Sequence, residues 1–294
     1  MLSSLAMSLP GRFVHIGGQR VFYHRSGRGR PVLLIHGFAV SHWCWRHVVP
    51  GLAAEHDVIA IDLPGCGESD RPPPSSYRYD APAFMETVLG VLDALGLDRV
   101  SLVGHSMGGG VALYTAARRP ERVDRLVAID PLCYPYRMPP EGRLLLTPYI
   151  GPALYRTLYT RGMVRYYMRR QVYRDPELVT DEWVDYVWER LNRPGGMEAA
   201  HAVLRFCQSP GIIARTVRAI RAPTLVMWGA DDRIFPSAFA PRLQADIPGA
   251  EASIVKECGH APPEEKPEAV TRAVLGFLAA AERTRRPAVA VVPS

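Results

Sequence analysis

Gly104-His105-Ser106-Met107-Gly108 is a G-x-S-x-G run, and the buried-type apolar stretch Val100–Val103 leads into it. A helical pattern follows. A strand, a sharp turn and a helix in that order put a serine on a strained corner, with its hydroxyl exposed at a sheet edge. Glycine suits the flanking positions because side chains there would clash. Gly109 and Gly110 extend the small run, so the helix can pack close to the sheet. At the helix N-terminus Ser106 would meet a dipole that favours developing negative charge. The chemistry is covalent catalysis by a serine nucleophile. His105 is adjacent, but a neighbouring side chain points away from the hydroxyl, so its expected role near the substrate is structural.

A serine hydroxyl needs a base to take its proton. Sites on such a turn run serine, acid, histidine along the chain. His260 is the only histidine after His201, and it lies in Glu257-Cys258-Gly259-His260-Ala261, just past the last strand candidate. The acid should follow an earlier strand. Leu225 to Pro236 offers Asp231 and Asp232, and Asp232 is the choice for holding the imidazole tautomer. Asp231 and Asp130, the latter ending another strand, stay open as alternatives.

Acyl transfer also needs backbone donors aimed at the oxyanion. One is expected from Met107 and the other from Phe38, in the loop His36-Gly37-Phe38. Gly37 lets that loop bend, and His36 anchors it. Gly37, His105, Trp43 and Tyr149 are the candidate substrate contacts. Trp43 and Trp45 either line a pocket or pack the following helix.

These residues need a sheet to position them. Phe13–Ile16 and Arg20–His24 flank Gly17-Gly18, a hairpin signal. Val32–His36, Val58–Asp62, Val100–Gly104, Arg125–Asp130, Thr224–Trp228 and Ala252–Val255 complete eight strand candidates. Helical patterns cover Ala81–Leu95, a stretch from Ser237, and Pro267–Ala281, with a loose tail from Glu282. Strands alternating with helices predict an α/β fold with a doubly wound, mostly parallel eight-stranded sheet. Between Arg143 and Arg193 strands give way to helical runs, broken by Pro148, Pro152, Gly162 and Pro176. The expected organisation is a core of residues 1–131 and 222–294, with a helical cap of residues 132–221 inserted over the ligand edge of the sheet.

The 294 residues are 48% hydrophobic with a net charge of +6. Lys256 and Lys266 are the only lysines, and the arginines are spread along the chain. That distribution reads as a solvated surface, with no nucleic-acid partner expected. Five widely spaced cysteines without a CxxC suggest free thiols and a cytoplasmic setting. The start resembles no signal peptide, and no stretch approaches a transmembrane helix, so no stable membrane insertion is expected. No metal cluster or dinucleotide fingerprint is present, so no cofactor or metal is expected. The partner is a small-molecule ester or acyl substrate, and the protein is expected to be a monomer or homodimer.

Together the motifs resemble the α/β-hydrolase superfamily, particularly its single-domain members with a helical cap. Asp62-Leu63-Pro64-Gly65-Cys66-Gly67-Glu68-Ser69 is similar to the D-x-P-G-x-G-x-S loop of that family. Trp228-Gly229 with Asp232 and Pro236 is similar to its acid loop, and Cys258-Gly259-His260 to its histidine loop. Dehalogenases and soluble epoxide hydrolases of the superfamily place aspartate where Ser106 stands. The resemblance therefore implies a serine enzyme, read first as a carboxylesterase. The alternative is a carbon–carbon bond hydrolase of aromatic ring-cleavage pathways, and a third reading is a ligand receptor. Tyr149, Tyr155, Tyr159, Tyr166, Tyr167 and Tyr173 of the insertion are interleaved with arginines, which reads first as an ordinary cap with a solvated basic face; an apolar roof over the serine, an arginine reaching in to a substrate carboxylate and a basic face meeting anionic lipid are the alternatives.

Overall fold

The computed structural model describes residues 9–136, 143–147 and 150–285. Eight strands form one sheet in the order β1-β2-β4-β3-β5-β6-β7-β8. They are β1 (Arg12–Ile16), β2 (Gln19–Ser26), β3 (Arg30–Ile35), β4 (His56–Ile61), β5 (Val100–His105), β6 (Val123–Ile129), β7 (Thr224–Gly229) and β8 (Glu251–Val255). β2 pairs antiparallel with β1 and β4, and the remaining pairs are parallel. This is the α/β sheet expected from the sequence. The inner stretches Val32–Ile35, Val58–Ile61 and Leu126–Ile129 read as continuous apolar runs because helices cover both faces of the sheet. Gly17 and Gly18 both take positive φ, as the tight β1–β2 hairpin requires.

The principal helices of the core are α1 (Val49–Ala53), α2 (Ala81–Ala94) and α3 (Met107–Arg118). Asp80 caps α2 by accepting the Ala83 N–H. Val111, Leu113 and Phe84 pack on one face of the sheet with Leu33, Leu102 and Trp228. On the other face Trp45, Leu52, Val270 and Val274 pack against Val32, Leu34 and Val103.

Between β6 and β7 the chain makes α4 (Ile150–Leu158), α5 (Arg161–Tyr167), α6 (Asp181–Leu191), α7 (Gly196–Cys207) and α8 (Gly211–Ala214). Two expected breaks in this insertion do not occur. Pro152 is the third residue of α4, in its first turn, where the fixed φ of proline is compatible with a helix start. Gly162 lies in the first turn of α5, behind a Thr160 cap that accepts the Met163 N–H. Trp183, Val184, Tyr155, Tyr173 and Met168 give the insertion its own apolar cluster. After β7 come α9 (Phe239–Asp246), α10 (Pro262–Glu265) and α11 (Pro267–Arg285). α11 runs past Ala281, where a loose tail had been expected, because no helix breaker stands before Pro287.

Gly108 shows how tightly α3 seats. A Cβ there would lie 2.3 Å from the Ile35 carbonyl oxygen and 2.4 Å from that of His36. Backbone cannot move aside as a flexible side chain can. Gly108→Ala is expected to lose about 3 kcal/mol of stability, read as a lowered urea midpoint. An unchanged midpoint would mean that α3 can lift off the sheet at little cost.

Candidate active site

Ser106 sits between β5 and α3 with φ 56° and ψ −119°, a conformation rare for any residue but glycine. The neighbouring backbone holds it there. The Ser106 N–H donates to the Ile129 carbonyl at 2.9 Å, and its own carbonyl accepts from Leu132 at 2.9 Å. Ser106 Oγ lies 2.8 Å from Nε2 of His260, and His260 Nδ1–H donates to Asp232 Oδ2 at 2.8 Å. The carboxylate fixes the proton on Nδ1 and leaves Nε2 to accept the serine hydroxyl. Asp232 is itself held, since its Oδ1 accepts the Ile234 and Phe235 N–H groups at 2.7 and 3.0 Å. The three side chains come from the ends of β5, β7 and β8, at one edge of the sheet.

The His260 Nδ1–H donates to Asp232 rather than to either competing carboxylate. Asp231 pairs with Arg174 at 2.7 Å. Asp130 is completely buried at the end of β6 and accepts the Gly229 N–H at 2.8 Å. Burial, reinforced by the nearby Asp232 charge, pushes the Asp130 carboxyl well above its ordinary range, which favours the neutral acid.

His105 is buried, and its Nε2–H donates to the backbone carbonyl of His260 at 2.6 Å. Burial, with a smaller contribution from His260, lowers its pKa to about 3, so it is a neutral donor. Its place is against the histidine loop. Trp43 stacks on Tyr186 at 5.9 Å, with the Arg46 guanidinium over its ring. It packs the insertion onto the core, and a pocket-lining role finds no support in those contacts. Trp45 is wholly buried in the core. Tyr149 lies outside the described residues.

The loop after β3 closes against the serine. A Cβ on Gly37 would come within 3.1 Å of Ser106 Cβ. His36 Nε2 accepts the Leu63 N–H at 3.0 Å, and its Nδ1–H donates to the Gly37 carbonyl at 2.7 Å. Burial lowers the His36 pKa and keeps the ring neutral in this bridging role. Ala39 takes φ 58°, so the loop turns sharply just after Phe38. Met107 is the first residue of α3, where the backbone N–H has no partner within the helix.

Further residues near the site carried no signal in the sequence. The Phe235 ring stands edge-on to His260 at 5.1 Å and to Tyr136 at 4.8 Å. Gln208 donates to the Tyr136 hydroxyl. A groove of about 1140 Å³ between α2 and α7 is lined by Tyr79, His201 and Arg205, and holds none of Ser106, Asp232 or His260. His105, Asp130 and His260 offer ligand atoms within 4.8 Å of one another. Both His260 nitrogens and Nε2 of His105 are already committed to hydrogen bonds, which leaves too few free donors for a cation.

Residues 30–267 match the family described as alpha/beta hydrolase fold. The chain is 33% identical over 278 residues to a 2-hydroxy-6-oxo-2,4-heptadienoate hydrolase of Pseudomonas putida, covering 92% of this chain and 96% of that protein. It superposes with a TM-score of 0.80 and 28% identity on a meta-cleavage product hydrolase of Pseudomonas fluorescens, covering 92% of this chain and 98% of that one. A thermophilic esterase of Thermogutta terrifontis is 26% identical with a TM-score of 0.76, over 92% of this chain and 98% of the esterase. The sheet, the serine turn after β5 and the match along most of the sequence have one meaning: this chain belongs to the alpha/beta hydrolase fold family.

Proposed function

We propose that the protein is a serine hydrolase that cleaves a carbon–carbon bond next to a carbonyl, in substrates of the vinylogous diketone type. The observation that carries the serine mechanism is the unbroken hydrogen-bonded series from Ser106 Oγ through His260 to Asp232. The bond class is supported by relatives aligned over nearly their whole length, two of them named as hydrolases of such dienoates. Ser106 Oγ attacks the carbonyl carbon while His260 Nε2 takes its proton. The N–H groups of Met107 and Phe38 hold the oxyanion. The bond to the leaving carbon breaks, and His260 returns its proton to that carbon. Water, activated by the same imidazole, then hydrolyses the acyl-serine. The helices between β6 and β7 act as a cap over this chemistry. Five buried free cysteines support a reducing, cytoplasmic setting.

One observation favours cleavage of uncharged carboxylic esters as a second reading. Arg156, Arg161, Arg165, Arg169, Arg174, Arg190 and Arg193 of the insertion all pair with the chain's own carboxylates. An uncharged ester asks for no cation from the insertion, and these seven are already engaged.

The two readings separate in one comparison. Purified protein is given a 2-hydroxy-6-oxo-dienoate, followed by loss of its visible absorbance, and p-nitrophenyl esters from acetate to laurate, each beside Ser106→Ala. The expected result is a dienoate kcat/KM at least about tenfold above the best ester. The reverse order, with Ser106 still required, would establish the ester reading and retire the first.

A further inference from the structure

The loop that carries His260 is not held by the core alone. The His260 N–H donates to the Val172 carbonyl of the insertion at 2.7 Å. Gly259 approaches the same segment so closely that a Cβ on it would lie 2.6 Å from the Val172 oxygen and 2.7 Å from the Arg174 nitrogen. Glu265, at the end of α10 and 9% exposed, stands between the two segments. Its Oε1 accepts the N–H groups of Gly259 at 2.9 Å and Ala261 at 3.3 Å. Its Oε2 accepts the N–H of Arg174 at 2.8 Å. The Asp175 N–H points to the same carboxyl. One side chain thus gathers backbone donors on both sides of the histidine and from the insertion.

We infer that Glu265 is a positioning residue that ties the seating of the insertion to the placement of the His260 imidazole against Ser106. The physical case is one of satisfaction. Gly259 and Ala261 sit in a buried loop with no strand or helix ladder to receive their N–H groups, and a buried orphan donor costs about 1–3 kcal/mol. A carboxylate has enough lone pairs to receive all of them, and bonds to a charged acceptor are the stronger kind. No other side-chain type of this length does both jobs, since glutamine must turn a donor toward one of the two segments. With Oε2 on the insertion and Oε1 on the histidine loop, movement of either segment pulls on the other. His105 completes the hold by gripping the His260 carbonyl from below. Loss of the link leaves the imidazole chemically intact but misplaced.

The inference rests on the base role given to His260, and the test keeps the two apart. The probe is a fluorophosphonate, which forms a covalent bond to an activated serine and needs no known substrate. Its inactivation rate constant and its half-saturation concentration are measured for the wild type, Glu265→Ala, Glu265→Gln and Ser106→Ala. The downfield proton of His260 Nδ1–H is followed by NMR, and unfolding temperatures are recorded. Misplacement by about 1 Å is worth on the order of 100-fold in rate. Glu265→Ala is expected to lose roughly that in the rate constant, with half-saturation within about threefold of wild type and the downfield proton broadened or lost. Glu265→Gln, which keeps one acceptor, should fall between the two. A folded Glu265→Ala that labels at the wild-type rate with its downfield proton intact overturns the inference. Should that variant fail to fold, Glu265→Gln decides. A slower rate at an unchanged unfolding temperature supports the link, and an unchanged rate ends it. Ser106→Ala that still labels at the wild-type rate would sink the serine mechanism itself, whatever Glu265 does.

Discussion

Ser106→Ala is expected to abolish hydrolysis of every substrate the wild type accepts, with kcat falling by about 10⁶-fold, as when a nucleophile of this kind is removed elsewhere. The reason is chemical. Alanine offers no oxygen to bond the carbonyl carbon, so the two-step acyl route closes, and water must attack a carbonyl that the site was not shaped to present to it. Ser106 is buried and the replacement is smaller by one atom, so circular dichroism and the unfolding temperature should hardly change. The measurement is kcat on the best substrate, with covalent labelling as a check. Residual turnover above about 1% of wild type would place the reacting nucleophile elsewhere.

The second large effect is expected from Asp232→Asn. The carboxylate accepts the His260 Nδ1–H at 2.8 Å and two backbone N–H groups through its other oxygen. The amide must spend its oxygen on one set or the other. If its NH₂ faces the ring, His260 is driven to the tautomer with hydrogen on Nε2, and that nitrogen can no longer accept the serine proton. The expected loss in kcat is about 10⁴-fold. KM should move little, because Asp232 touches no substrate. A loss below tenfold would shift the orienting role to Asp130. That carboxyl lies within 4.8 Å of a His260 ring nitrogen and already ends the adjacent strand.

How much of this was legible in the sequence depends on how local the signal is. The strands were legible because a run such as Val58–Ile61 must be apolar throughout to lie inside a covered sheet. Ser106, His260 and Asp232 were legible because each sits in a short turn whose glycines and neighbours have their own steric reasons. The Pro152 and Gly162 breaks were misread because a breaker's effect depends on its place in the helix, and that place was not visible. Glu265 went unnoticed for a different reason. Its partner Arg174 is 91 residues away, and a Pro-Pro-Glu-Glu run reads as an ordinary polar helix start. The place of Trp43 was equally hidden, since it depends on Tyr186 arriving from the insertion.

The distance along the chain between Ser106 and His260 carries a consequence for synthesis. The two hydrogen-bonded side chains are 154 residues apart. At about 5–20 residues per second a ribosome needs roughly 8–30 s to make that stretch. During that interval β1 to β6 can pair and set the serine on its turn. β7 and β8, whose following loops carry Asp232 and His260, are made only in the last part of that stretch. The nascent protein thus carries a shaped but unarmed hydroxyl. Its last parallel pairings are long-range and slow to form. On the proposed mechanism a chain cut short before Cys258 carries Ser106 without His260, so it is expected to lack the activity of the full chain.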